Sequence, residues 1–322
     1  MSGESTREDA ADRSGCEPAR MRGSDAVRVE RVTFSSSGEV LVGDLYLPSL
    51  DVDQRRPAVV VAGAWATVKE QMAGGYARQM AARGHPALAF DFRTWGQSGG
   101  QPRSMEDPYA KSADIVAAAE FLARYIAADQ EAIAGLGICA GSSYMVAAAT
   151  TAPLIQSVAL VAPALPTSAD VRENLGGTQS MATLIGAANE ALAEYRRTGQ
   201  QVLVPAVQLP AGDPVSAGDY YADRRRGGVP QWDNTFNPAS WSSWIPFDVH
   251  SFADKLTQPL LIVHSDAAVN PGSVREFASK VPGPVAQLWL DGISQFDFYD
   301  QPGPMKAASD AAAAHFSRKQ SP

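Results

Sequence analysis

From Pro57 onward the chain alternates short, uninterrupted apolar runs with helix-patterned stretches. No other feature restricts the fold as much. The runs PAVVVAGA (57–64), PALAFDF (86–92), AIAGLG (132–137), SVALVAPA (157–164), PLLIVHSD (259–266) and VAQLWLDG (285–292) are of the kind that a strand buried on both faces requires. Between most of them lie helical stretches: KEQMAGGYARQMAARG, which stops at Gly84, the long amphipathic DPYAKSADIVAAAEFLARYIAA, and SSYMVAAATT. PMKAASDAAAAHFSR closes the chain. Such alternation predicts a mainly parallel sheet with helices on both faces. Ahead of it, VRVERVTFSSSGEVLVGDLYLP reads as a hairpin of two alternating strands at a sheet edge.

The interval from about 166 to 250 breaks the rhythm. A helix-patterned piece, SMATLIGAANEALAEYRRTG, is followed by the aromatic-, Pro- and Gly-bearing DYYADRRRGGVPQWDNTFNPASWSSWIPFDVH, with no buried-strand run. A long insertion between two core strands predicts a cap over a site. The expected organisation is a disordered tail at 1–25, a core made of 26–165 and 251–318, and a cap insertion at 166–250. A net charge of −8 and a pI near 5.1 argue against nucleic acid as a partner. No apolar run approaches the roughly 18 residues of a membrane helix, and the N-terminus lacks a signal's apolar segment, so no membrane partner is expected. Cys16 and Cys139 are the two cysteines, a usage that fits a reducing, cytoplasmic compartment. They and the four histidines are scattered, and no P-loop or dinucleotide fingerprint is present, so neither metal nor cofactor is expected.

The stretch that bears chemistry is GLGICAGSSY, residues 135–144. Small residues at Gly137, Ala140 and Gly141 fit a sharp strand-to-helix turn that holds Cys139 proud of the sheet. Cys139 then sits at a helix N-terminus, where the dipole and free N–H groups are expected to favour a thiolate. The competing reading is a small buried hydrophobe. The Ala140 N–H, directly after it, is one expected oxyanion donor.

Taken in order, VVVAGAWATVKEQM, YARQMAARGHPALAFDFRTWGQSGG, GLGICAG and LDGISQFDFYD resemble the α/β-hydrolase superfamily over about residues 28–318. Within it they resemble the dienelactone-hydrolase-like branch. The resemblance implies the α/β-hydrolase fold, with the elbow after the fifth core strand. It places Trp65 at the second oxyanion donor, through its backbone N–H, with the indole lining the pocket. It places the acid near Ala268, with Asp266 two residues earlier as a substitute, and puts Gln295 where the family carries histidine. An amide hydrogen-bonds but takes no proton near neutral pH. Topology sorts the histidines. His85 precedes a strand at the end opposite the site, His315 lies on a departing helix, and His264 reads as a core histidine. His250, ahead of SFADKL, is the candidate replacement base.

Arg224, Arg225 and Arg226 read either as a solvated run or as a dock for a carboxylate, a phosphopantetheine phosphate or an acyl carrier protein. Tyr220, Tyr221, Trp232, Phe236, Trp241 and Trp244 read as cap packing or as an apolar pocket for an acyl or polyketide chain. The leading expectation is an acyl hydrolase or acyltransferase using an acyl-Cys139 intermediate on a hydrophobic ester or thioester, such as a secondary-metabolite intermediate. The alternatives are a non-hydrolytic cyclase, lyase or isomerase using the oxyanion pocket, and a catalytically silent ligand-binding homologue.

Overall fold

Alternate residues of a strand point to opposite faces, so a strand covered by helices on both sides must be apolar throughout. β3 (Ala58–Ala62) obeys this: Ala58, Val60 and Ala62 join one hydrophobic cluster, and Val59 and Val61 the other. β6 (Ile155–Val161) and β9 (Leu260–His264) divide in the same way. Each fully buried Val or Leu contributes roughly 1.5–3 kcal/mol. A register slip of one residue would exchange the two clusters, so the strands are strongly specified.

The computed structural model describes residues 27–48, 56–125, 133–208 and 217–318, so the tail expected at 1–25 lies outside the described residues. β1 (Arg28–Ser36) and β2 (Glu39–Leu47) form the edge hairpin, and β2 runs antiparallel to β4 (Ala87–Phe90). The remaining pairings are parallel and take in β5 (Ile133–Ile138) and β10 (Val285–Trp289), giving an eight-stranded sheet ordered β1-β2-β4-β3-β5-β6-β9-β10. One face is covered by α2 (Pro108–Tyr125), α3 (Ala140–Thr151) and α8 (Pro271–Lys280), the other by α1 (Met72–Ala82) and α10 (Pro302–Phe316). Strand order reverses around β3: β4 lies on one side of it and β5 on the other. Ligands bind at the carboxyl ends of the strands at such a switch point.

Between β6 and β9 the chain forms α4 (Ser168–Asn174), α5 (Thr178–Thr198), α6 (Ala217–Ala222) and α7 (Trp241–Trp244). A two-residue ladder of β7 (Val204–Pro205) with β8 (Thr235–Phe236) and 3₁₀ turns at Pro238–Ser240 and Val249–Lys255 complete the segment. It is fastened to loops at the carboxyl ends of β3 and β4. Trp232 Nε1 donates to the Ala66 carbonyl at 2.7 Å, Gln71 Nε2 to the Gly227 carbonyl at 2.7 Å, and the Glu106 N–H to Ser240 Oγ at 2.8 Å. A short helix, α9 (Asp297–Asp300), follows β10. Among the described residues no helix is long and apolar enough to cross a membrane.

Candidate active site

Glycine spacing builds the turn after β5. A Cβ on Gly137 would stand 2.6 Å from the Ser142 Cα, and one on Gly141 would stand 2.2 Å from the Gly63 carbonyl oxygen. The start of α3 therefore packs directly on the backbone that leaves β3. Cys139, between them, takes φ 52° and ψ −122°, a conformation that costs a non-glycine residue about 1–3 kcal/mol and that surrounding structure must impose. Backbone bonds supply the constraint: Cys139 N–H donates to the Val161 carbonyl at 3.2 Å, and its own carbonyl accepts from Ser142 and Ala164 N–H, each at 3.0 Å.

The sulfur lies between an open side and a closed one. On the open side is a cavity of about 230 Å³, whose apolar wall includes Tyr144, Val171, Leu175, Trp241, Trp244 and Phe247. On the closed side Cys139 packs against the cluster that contains Tyr221, Trp232 and Tyr299. The Tyr299 hydroxyl, the Ala140 N–H and the Gln295 amide are the polar groups that face the sulfur there. Burial pushes the thiol up and outweighs the downward pull of those groups, while the Glu106 carboxylate adds to the rise. Burial thus opposes the thiolate that a helix N-terminus is expected to favour.

Gln295 is buried, with its amide fully engaged. Its Oε1 accepts from Val269 N–H at 3.2 Å, and its Nε2 donates to the Ala162 carbonyl at 2.9 Å and to the Tyr299 hydroxyl at 3.3 Å. The structure does not bring Asp266 to the sulfur. That carboxylate is exposed and paired with Arg275 at 2.7 Å. Nor does it bring His250 there. In the 3₁₀ turn Val249 takes the cavity-facing position, while His250 Nε2 meets the Leu165 carbonyl at 3.1 Å and Ser273 Oγ at 3.0 Å, and Nδ1 lies 3.3 Å from Lys280 Nζ. The other histidines bond backbone carbonyls: His85 to Pro57, His264 to Val269 and His315 to Pro259. Burial lowers His264 to about 4, so it is neutral at pH 7.

The loop that carries Trp65 is held from both sides. The neighbouring Ala66 receives Trp232 Nε1 on its carbonyl and donates its N–H to Glu106 at 2.7 Å, while Trp65 N–H has no acceptor among the described residues. The Trp65 indole packs against Phe236 at 4.8 Å, tilted by 37°, and does not line the cavity, contrary to expectation. The insertion's aromatics divide: Trp241 and Trp244 line the cavity, whereas Tyr220, Tyr221 and Trp232 pack behind the sulfur. Of the three arginines, Arg225 pairs with Asp223 and Arg226 with Asp300, each at 2.7 Å.

Sequence reasoning missed Glu106 and Tyr299. Glu106 is wholly buried and also bonds Tyr144 Oη at 2.8 Å and Lys111 Nζ at 2.5 Å; that ammonium lies over the Phe92, Trp95 and Tyr144 rings. Tyr299 stands four residues beyond Gln295 in the FDFYD run, and that spacing was the available signal. Among the described residues no group of three or more His, Cys, Asp or Glu could hold a metal ion.

The uncharacterized protein PA2218 of Pseudomonas aeruginosa is 29% identical over 293 residues, covering 85% of this chain and 77% of that one. Its crystal structure matches with a TM-score of 0.80, at 23% identity over 97% of this chain and 100% of the other. A thiohydrolase of Eupenicillium brefeldianum is 25% identical over 238 residues, 69% of this chain and 73% of its own. The crystal structure of the alpha/beta hydrolase GrgF from Penicillium sp. sh18 has a TM-score of 0.73 at 19% identity, covering 90% and 98% of the two chains. The Alpha/beta hydrolase family profile matches residues 58–306, and the chain belongs to that family.

Proposed function

We propose that the chain transfers the acyl group of a hydrophobic thioester to Cys139 and then to water or a second acceptor, as a cysteine-bearing, dienelactone-hydrolase-like member of its family. The observation that carries this reading is a thiol at the mouth of an apolar cavity with no histidine beside it. Cysteine attacks carbonyls with little help, but no histidine stands at the sulfur to carry a proton to a departing alkoxide. A thiolate leaves unaided, because its conjugate acid has a pKa of about 8.5, against about 15.7 for water as a measure of an alkoxide. The named thiohydrolase among the relatives supports the same class.

In this reading the carbonyl oxygen is held by the Ala140 N–H, at the first position of α3 where no intrahelical acceptor exists, and by the unpaired Trp65 N–H. The segment 166–250 acts as a cap, and Trp241, Trp244 and Leu175 receive the acyl chain. An isomerase or lyase reading that uses Gln295 to orient substrate is less well supported, since both ends of that amide are bonded within the chain.

The test is a matched pair of substrates with one acyl group, presented as thioester and as alkyl ester. Turnover of the thioester with at least a hundredfold lower kcat/KM on the ester is expected. Equal kcat/KM on both would mean that the site protonates its leaving group, and the reading would fall.

A further inference from the structure

We infer that Tyr299 is the catalytic hydrogen-bond donor to the Cys139 sulfur, and that Gln295 acts behind it as a positioning residue that sets the direction of that bond. The inference rests on the acyl-cysteine reading for its role in turnover, but the bond itself can be tested without substrate.

The direction follows from donors and acceptors. Val269 N–H can only donate, so the amide atom 3.2 Å from it is Oε1 of Gln295. The Ala162 carbonyl can only accept, so the atom 2.9 Å from it is Nε2. Two one-way backbone groups thus remove the usual ambiguity of an amide flip. Nε2 carries two hydrogens. One goes to Ala162, and the second points to the Tyr299 hydroxyl at 3.3 Å. That hydroxyl therefore accepts from Gln295 and keeps its own single proton to give. Its ring is clamped by Tyr220 at 5.2 Å and Phe296 at 5.3 Å, contacts that fix the ring and offer no strong acceptor. The polar groups that then face it are the Tyr221 phenol and the Cys139 sulfur, which pack into the same cluster, and the sulfur is the one that carries charge in the reaction. Burial and the adjoining sulfur raise Tyr299 well above the ordinary phenol value, so it stays a donor throughout and never serves as the base.

The bookkeeping of the step is simple. The thiol proton leaves Cys139 for bulk water by way of the cavity. The thiolate, held by Tyr299 Oη–H, attacks the carbonyl carbon and forms the new C–S bond, while the Ala140 N–H receives the carbonyl oxygen. The bond to the leaving sulfur breaks with its electron pair, and that thiolate takes a proton from water. Tyr299 and Gln295 gain and lose no proton. The amide at position 295 thus takes a different role from a histidine: it orients a phenol that favours the charged form of the nucleophile.

The experiment measures the rate of Cys139 alkylation by iodoacetamide across pH, in a Cys16→Ser background, for the parent chain, Tyr299→Phe and Gln295→Met. Tyr299→Phe keeps the clamped ring and removes only the hydroxyl. It is expected to move the alkylation midpoint up by about one pH unit or more, and to slow alkylation roughly tenfold at a fixed pH below the midpoint. Gln295→Met, which frees the hydroxyl to rotate, is expected to move the midpoint in the same direction by a smaller amount, and it carries the test if Tyr299→Phe does not fold. Folded variants whose midpoint equals the parent's would overturn the inference. Alkylation needs no substrate. If Cys139→Ala retained turnover, the acyl-cysteine reading would fail while the midpoint still decided the role of Tyr299.

Discussion

Placing a histidine at position 295 is expected to fail alone and to succeed with one further change, and the reason is a tautomer. In Gln295→His the imidazole nitrogen nearest the loop after β9 meets the Val269 N–H, which now serves Gln295 Oε1 at 3.2 Å. A nitrogen that accepts from that donor is unprotonated, so the ring proton sits on the other nitrogen, toward the sulfur, and the ring cannot act as a base there. Placing a carboxylate at the half-buried Ala268 reverses this. An aspartate there accepts from the loop-side nitrogen, moves the proton to it and leaves the sulfur-side nitrogen free to accept. A positioned general base contributes about 100- to 10,000-fold. Gln295→His is therefore expected to change the deacylation rate less than tenfold, and Gln295→His with Ala268→Asp to raise it at least a hundredfold. Both variants leave the Ala162 carbonyl without its 2.9 Å partner, at a cost of about 1–3 kcal/mol, which urea unfolding would register. The assay is single-turnover quench with a radiolabelled or chromogenic thioester, which separates acylation from deacylation. A full gain from Gln295→His alone, or no gain from the double variant while acylation persists, would refute this reasoning.

Two further outcomes follow from the site's surroundings. Burial holds the Cys139 thiol above its ordinary value and no histidine flanks it. Hence log kcat/KM on a thioester is expected to climb with a slope near one per pH unit from about pH 6 to 8.5; a plateau beginning near pH 6.5, or a bell, would reveal a histidine at work. Glu106→Gln removes the carboxylate that bonds the buried Lys111, Tyr144 and the Ala66 N–H. Urea denaturation is expected to show a loss of about 3–5 kcal/mol, largely recovered when Lys111→Met is added, because the cost is that of a buried cation left without its partner; an unchanged midpoint in Glu106→Gln would count against this.

How much of this was legible in the sequence depends on how local each signal is. The strands were legible because a strand buried on both faces must be apolar almost throughout, and 58–62 and 260–263 are. The turn at Cys139 was legible because close backbone approach at Gly137 and Gly141 excludes any side chain. Gln295 was legible because its separation from Gly292 and from the FDFYD run is a matter of counting. What escaped depends on tertiary contacts. Asp266 pairs with Arg275, which α8 carries nine residues further on. His250 and Val249 are adjacent, and which of them faces the cavity is decided by packing against Leu165 and Ser273. The thiol's upward shift needed knowledge of what covers the sulfur, and the role of Glu106 emerged only once Lys111 was found buried against it.

The central claim is an acyl group carried on Cys139, and intact-protein mass spectrometry during turnover of a hydrophobic thioester tests it most directly. The parent chain is expected to gain the mass of the acyl group, mapped by proteolysis to the peptide containing Cys139, and Cys139→Ala is expected to gain nothing and to lose turnover. A Cys139→Ala variant that turns the thioester over at the parent rate would contradict the account.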